Sequence, residues 1–413
     1  VKSNQIDKLS NFAPVVRDFV LGDPTYEGLV TQSDADKIAA AIKILREDLG
    51  QSPEQLAQIL DNSWSIYDRV KSPTIHEFLT PEWLGPMALE LFPTTRKTLL
   101  EYWNPKKEHH SLILGSAIGT SKSTISIISN AYITANIWCK RNPKRFYNAL
   151  SSTSFVQALI SFNEKKIKQV LLQPMIQILK ASPRIRAVKF EDQLEKRQRE
   201  YPNEICWTTA SKVGALQFYN DIHYPIASSP QNLLGLNMIT ATLSEISFFI
   251  DRGFSPEYIW RIFQDSKNRI VNRFGKHRLA TTILDSSPND LEFSPIDKYI
   301  FTGEAYKDKS NYIVTGPHWN FRPDHEIYEK WKKTGETFPV FRGDASEPPE
   351  MLYDDDAVAR KDPLSIIHVP IDLKPFFIEE LSKNVKDWAG WPAGNPDKLI
   401  REAKFIDRIF KPN

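Results

Sequence analysis

Cysteine is nearly missing from this chain, and so are long apolar runs and any excess of one charge. Two cysteines in 413 residues, Cys139 and Cys206, are too few for a disulfide framework or a zinc cluster and fit a reducing compartment. Cys139 falls on a helical face and Cys206 in a strand-like run, where both read as buried, inert thiols. No stretch reaches the roughly twenty apolar residues that a membrane span requires, and the N-terminus lacks the charged, apolar, small-residue order of an export signal. No membrane association is therefore expected. Lysine plus arginine (53) nearly balances aspartate plus glutamate (51), so attraction to nucleic acid must come from local patches and not from the field of the whole molecule. What is present is enough apolar content (41%) for a large core, spread over more than one domain.

Glycine is also absent at two positions where it matters most. Leu112-Ile113-Leu114 predicts a strand, Ile125, Ile127, Ile128, Ala131 and Tyr132 predict a helix, and between them runs Ser116-Ala117-Ile118-Gly119-Thr120-Ser121-Lys122-Ser123-Thr124. Strand, small-residue loop, lysine, hydroxyl and helix is the layout of a phosphate-binding loop. In such a loop backbone N–H groups wrap the phosphates, the lysine reaches the outer ones, and the next hydroxyl ligates magnesium. Ser116 and Ser121 stand where glycine is usual, so an ordinary strand-to-helix turn remains the competing reading.

Residues 1–72 read as a polar helical extension, with Ile38, Ala41, Ile42, Ile44 and Leu45 at helical spacing and Ser52-Pro53-Glu54 as a further helix start. A turn-rich passage follows, and residues 73–302 alternate helices with short apolar strands, including a helix from Glu164 to Leu179 with a kink at Pro174. That alternation predicts an α/β fold with a mostly parallel sheet. Residues 303–413, richer in proline and charge, read as a smaller subdomain.

Two downstream strand ends complete the candidate site. Met238 to Leu243 is a β-branched apolar run that ends in Ser244-Glu245. Such a strand end normally carries an aspartate that holds magnesium through water, followed by a glutamate that orients and deprotonates the attacking water. Here the aspartate position is Ser244, a weak partner for magnesium, with Asp251 as the runner-up carboxylate; the competing reading of Glu245 is a solvated acid. A second strand, Thr281 to Leu284, ends in Asp285-Ser286-Ser287-Pro288, whose hydroxyls are placed to meet a terminal phosphate if the strand is parallel to the first. A Ser-Ser-Pro turn is the plainer alternative.

Taken in order, these features resemble the large terminase subunits of tailed bacteriophages, the ATP-driven motors that package genomic DNA. The resemblance spans about Ile75 to Lys404: Glu77-Phe78-Leu79, Pro81-Glu82-Trp83-Leu84-Gly85, Phe92-Pro93, the phosphate loop, Ala181-Ser182-Pro183, Ser244-Glu245, Ser286-Ser287, Phe341-Arg342-Gly343-Asp344, Val369-Pro370 and Asp387-Trp388-Ala389-Gly390. It implies a P-loop NTPase of the additional-strand type that uses ATP and magnesium. By the same resemblance Lys122 contacts the outer phosphates, Ser123 and Ser244 serve magnesium, Glu245 is the catalytic glutamate, and Ser286 and Ser287 couple hydrolysis to DNA movement. The adenine falls near Phe92 to Lys97, with Arg96 close by. The implied partners are double-stranded DNA, the portal of the procapsid, the small terminase subunit and further copies in a pentameric ring, the chain alone being monomeric. The implied location is the host cytoplasm, transiently at the portal, and not the mature virion.

The departures carry expectations of their own. Ser121 places a β-carbon where glycine takes a positive φ, which predicts a strained loop and, with Ser244, weak nucleotide binding by the isolated chain. The family's arginine within the loop is missing, because Ala117 and Ile118 occupy its place. An arginine from a neighbouring subunit is then required, with Arg184, Arg186, Arg269 and Arg273 as candidates. Asp354-Asp355-Asp356 reads as a solvated turn and not a two-metal site, so no nuclease activity is expected of this chain. Lys267, Arg269, Arg273, Lys276, His277 and Arg278 form a basic stretch able to contact DNA phosphates. The alternative to a motor is a hydrolysis-impaired docking module of the packaging complex, and a helicase-like remodeller ranks third.

Overall fold

The computed structural model describes residues 71–140, 143–147, 155–187, 207–210, 215–218, 222–224, 226–227, 237–275, 277–289, 294–344 and 347–393. The expected N-terminal helices, Cys206 and Lys276 lie outside the described residues.

The chain enters through short capped turns and a helix, α1 (Pro93–Tyr102), which starts at a proline placed where no N–H is needed. Strand β1 (Ser111–Ser116) follows, then the loop and helix α2 (Lys122–Cys139). Next come β2 (Phe155–Ile160) and a helical stretch over 164–181, where the expected kink is absorbed by a π-turn at Lys168–Leu172. That turn opens the ladder just before Pro174, which lacks an N–H, and α3 (Gln173–Ala181) resumes. Short strands β3 (Trp207–Ala210), β4 (Ala215–Phe218), β5 (Ile222–Tyr224) and β6 (Ile226–Ala227) lead to β7 (Met238–Ser244). Helix α4 (Pro256–Phe274), β8 (Thr281–Asp285), α5 (Pro295–Phe301) and β9 (Asn311–Gly316) complete the main layer.

Five strands, in the order β2-β7-β8-β1-β9, are parallel throughout. Beyond β2 the sheet continues through β5 and the antiparallel β4 and β3. Strands β1, β2, β7 and β8 are buried at every position, which is why they read as unbroken apolar and β-branched runs and not as alternating ones. Helix α2 is buried on almost all sides, and its polar residues are paired inside: Asn130 Nδ2 donates to Ser126 O (2.8 Å) and Thr242 Oγ1 (2.9 Å), and Gln157 Nε2 donates to Thr134 Oγ1 (2.9 Å). By contrast α4 is amphipathic: Ser255 caps it by accepting from Tyr258 N, and Ile259, Ile262, Phe263, Ile270 and Phe274 form its buried stripe. Truncating Phe263 or Phe274 to alanine would cost about 3–5 kcal/mol.

The fold is therefore α/β, a P-loop NTPase arrangement of the additional-strand type. β8 is the added strand, inserted between the strand that leads to the loop and the strand that ends at Glu245. Strand β9, although it lies in the proline- and charge-rich segment 303–413, pairs with β1 over six residues and belongs to the main sheet. Beyond it stands a second apolar core of Trp319, Tyr328, Phe338, Val369, Phe377 and Val385. It packs around a small antiparallel sheet, β11-β10-β12, made by β10 (Thr337–Phe341), β11 (Glu350–Met351) and β12 (Ile366–Pro370).

Candidate nucleotide site

The ends of β1, β7 and β8 meet at one edge of the sheet, where a parallel arrangement leaves a crevice. The loop after β1 turns on two residues with positive φ, Gly119 (76°) and Ser121 (65°). The expectation that the serine adopts a glycine-like conformation is met. Beneath the turn, Ser116 and Thr120 hydroxyls are 2.6 Å apart and Thr120 Oγ1 donates to Ala117 O (2.7 Å). Lys122 is folded back, its Nζ donating to the carbonyls of Ser116 (2.8 Å) and Ala117 (2.7 Å). Burial pushes the Lys122 ammonium below the usual lysine range, while Asp285 and Glu245 pull it back up. Ile118, Gly119 and Ser121 to Thr124 line a cavity of about 600 Å³, within the range of ligand sites; Ser116, Ala117 and Thr120 are buried and do not line it.

Glu245 follows β7 with φ 56°, and it and Ser121 are the non-glycine residues of positive φ among the described residues. Both border the same cavity, and strain of this kind persists where surrounding contacts enforce it. Those contacts are visible at Glu245: its N–H donates to Asp285 O (2.6 Å), and its Oε2 accepts from Ser287 N at 3.4 Å. Ser286 ties the two strand ends together, accepting from Ser247 N (3.1 Å) while its own N–H donates to Leu114 O (3.1 Å). Ser287 lines the cavity and Ser286 lies behind it.

The sequence reading passed over Asp285. It pairs in register with Ser244, is fully buried, and accepts hydrogen bonds from Ser126 Oγ (3.1 Å) and from the Ser123 side chain. Burial raises its carboxyl to about 6, with Glu245 adding to the rise and Lys122 opposing it. The carboxylate missing from position 244 thus stands one strand over, beside the hydroxyl of Ser123. Ser123, Asp285 and Glu245 together offer hard oxygen donors of the kind magnesium prefers. Ser244, like Asp285, is buried and does not line the cavity, but it brings no charge.

The second subdomain reaches this loop directly. Helix α6 (His318–Phe321) follows β9, and helix α7 (Leu381–Asp387) precedes a turn at Gly390. Ile118 N donates to Asp387 O (2.9 Å), Ala117 N to Gly316 O (3.1 Å) and His318 N to Trp388 O (2.8 Å). Gly390 is packed so closely that a β-carbon there would lie 2.6 Å from Ala117 N. A second cavity of about 270 Å³ lies between Phe92-Pro93-Thr94 and Phe321 to His325. Arg96 does not enter it; its guanidinium braces the carbonyls of Leu79 (3.0 Å) and Ala88 (2.9 Å).

Other sequence candidates lie elsewhere. Arg184 pairs with Glu82 at 2.9 Å, Arg186 falls in the helix Pro183–Ala187, and Arg269 and Arg273 are on α4. Arg184, Arg269 and Arg273 do not line the cavity of their own chain. Asp251 accepts from Asn289 Nδ2 (2.8 Å) and is likewise outside the cavity. The basic stretch breaks up. Lys267 bonds Asp308 (2.5 Å) and Asn311 (2.9 Å), His277 is buried, and Arg278 donates to the carbonyls of His109 and Tyr102 while stacking on Tyr102 and Trp103. Asp354 caps the exposed helix Asp355–Ala359 by accepting from Ala357 N (2.7 Å), as a solvated turn does. Among the described residues no helix is long and apolar enough to cross a membrane.

A phosphate loop after the first parallel strand, a glutamate at the end of the third and an added strand between them define a P-loop NTPase site. No family model matches the chain, and no curated protein does. Among solved structures it resembles bacteriophage large terminases. That of bacteriophage HK97 aligns with a TM-score of 0.37 at 13% identity, over 73% of this chain and 50% of the other, so the chain spans half the length of that protein. The large terminase of a thermophilic bacteriophage, in complex with ADP, aligns with a TM-score of 0.34 at 10% identity, over 78% of this chain and 81% of the other.

Proposed function

We propose that this chain is the ATPase motor of a viral packaging terminase, coupling ATP hydrolysis to the movement of double-stranded DNA into a procapsid. The observation that carries the reading is the convergence of Lys122, Ser123 and Glu245 at one cavity, with Asp285 buried beside them, from three adjacent parallel strand ends. Backbone N–H groups from Gly119 to Thr124, at the N-terminus of α2, cradle the phosphates. Lys122 exchanges the carbonyls of Ser116 and Ala117 for phosphate oxygens, whose negative charge favours an ammonium that burial disfavours. Ser123 would hold magnesium directly and Asp285 through water, and the ion would supply positive charge to neutralise the outer phosphates. Glu245, kept in place by its bonds to Asp285 O and Ser287 N, orients and deprotonates the attacking water.

Ser287 is bonded to the glutamate and Ser286 to the turn after it, so a change at the terminal phosphate is passed into β8. The smaller cavity beside Phe92 takes the base. Ser244, which taken alone pointed to an impaired docking module, is offset by Asp285. The wider assembly follows from the same reading: a pentameric ring at the portal, with the small terminase subunit and DNA, in the host cytoplasm. The test is ATP turnover by the chain alone and with portal, procapsid and DNA, beside Lys122→Ala and Glu245→Ala. Turnover should rise with the assembly and vanish in both variants; turnover indifferent to both would refute the motor site.

A further inference from the structure

Arg322 stands between the two cavities and belongs to neither the loop nor a strand end. It closes α6, donating its N–H to His318 O (2.9 Å), and its side chain lines both the larger cavity over the loop and the smaller one beside Phe92. Its guanidinium lies 4.0 Å from the centroid of the Phe92 ring, and its Nε is buried without a hydrogen-bond partner. The helix that carries it is against the loop: a β-carbon on Gly119 would come within 3.2 Å of His318 Cδ2. A ring face holds a guanidinium only by charge and dispersion, and it satisfies none of the five N–H donors. A half-buried guanidinium whose Nε lacks an acceptor and which borders a cavity containing Lys122 and Ser123 is suited to a polyphosphate, which guanidinium groups bind in pairs of parallel hydrogen bonds.

We propose that Arg322 binds the phosphates of the nucleotide in cis, turning from Phe92 toward the loop when nucleotide arrives. It supplies the arginine that the loop lacks, from the second subdomain of the same chain and not from a neighbour. Nucleotide binding then also fastens that subdomain to the loop, adding a charge-assisted link to the contacts of Ile118 with Asp387 and of His318 with Trp388. The inference rests on the reading of the loop as a nucleotide site.

The test is titration of ATP, ADP and adenosine, with magnesium, onto the full chain as wild type, Arg322→Ala, Arg322→Lys and Lys122→Ala, with thermal melts to confirm folding. Arg322→Ala should weaken ATP and ADP binding about tenfold or more and adenosine binding by much less, with Arg322→Lys in between because it keeps the charge and loses the fork. Unchanged ATP affinity in Arg322→Ala, or an equal loss for adenosine, would overturn the proposal. A wild type that binds no nucleotide, or a Lys122→Ala chain that binds it equally well, removes the nucleotide site and this inference together. A Lys122-dependent site indifferent to Arg322 removes this inference alone. Arg322→Ala chains mixed with Glu245→Gln chains should gain no turnover; recovery would place the arginine in a neighbour's site and contradict the cis assignment.

Discussion

Ser244 at the end of β7 is the register partner of Asp285 at the end of β8, and through that pairing a carboxylate reaches Ser123 although the first strand end carries only a hydroxyl. Asp285→Asn should lower magnesium-dependent nucleotide affinity by about 10–100-fold, the usual cost of losing a group that orients a metal ligand. Ser244→Ala should change it little. Titrations with magnesium and with a chelator measure both. A larger loss from Ser244→Ala would return the metal role to β7.

Ser121 holds φ 65° at the turn into α2. A β-carbon in the left-handed region costs about 1–2 kcal/mol, a little less for a residue with a short polar side chain. Ser121→Gly should therefore raise the stability of the ligand-free chain by about 1 kcal/mol and strengthen nucleotide binding, whereas Ser121→Val should weaken both. Denaturant unfolding and nucleotide titration report the two effects separately. A glycine variant no more stable than the wild type would show that the turn is relaxed as it stands.

Gly390 has φ 69°, and a β-carbon there would lie 2.4 Å from Gly316 O and 2.6 Å from Ala117 N. Backbone cannot yield as a flexible side chain does, so Gly390→Ala pushes the second subdomain off the loop. The expected result is destabilisation of at least about 1–2 kcal/mol from the φ alone, with weaker nucleotide binding. Wild-type affinity in this variant would mean that the subdomain does not brace the loop.

His318 is buried next to Gly119, its Nδ1 2.7 Å from the Tyr328 hydroxyl, with the ring edge-on to Trp388. Burial, with His325 and Arg322 nearby, lowers its pKa to about 4, so the ring is neutral. The unfolded chain, with histidine near 6.5, binds more protons than the native one between about pH 6.5 and 4. Stability from this group is therefore complete above 6.5 and is lost as the pH falls toward 4. His318→Gln should melt closer to wild type, or above it, as the pH drops through that window. Melting curves that stay parallel from pH 7 to 4 would contradict the assignment.

The parallel sheet and the three strand ends were legible because each depends on local pattern: an apolar run, then a loop of small residues, hydroxyls or acid. Even the positive φ of Ser121 followed from the place of one serine before Lys122. Asp285 was not legible, although it adjoins Ser286, because its role depends on the register of β8 against β7 and not on its own neighbours. The roles of Arg322 and Gly390 at the loop were not legible for the same reason at longer range, since only the packing of the second subdomain brings them to residues near 120. Lys267 and Arg278 misled in the opposite sense: at the two ends of one basic stretch in sequence, they read as phosphate contacts, yet internal partners occupy both.

The central claim is that Glu245 activates water at a nucleotide held by the loop. Glu245→Gln keeps the shape and removes the base, so the decisive measurement is single-turnover ATP hydrolysis by this variant at saturating magnesium–ATP, with binding measured in parallel. The account predicts near-wild-type binding with hydrolysis slowed about 10²–10⁴-fold. Hydrolysis at the wild-type rate, with binding intact, would contradict it.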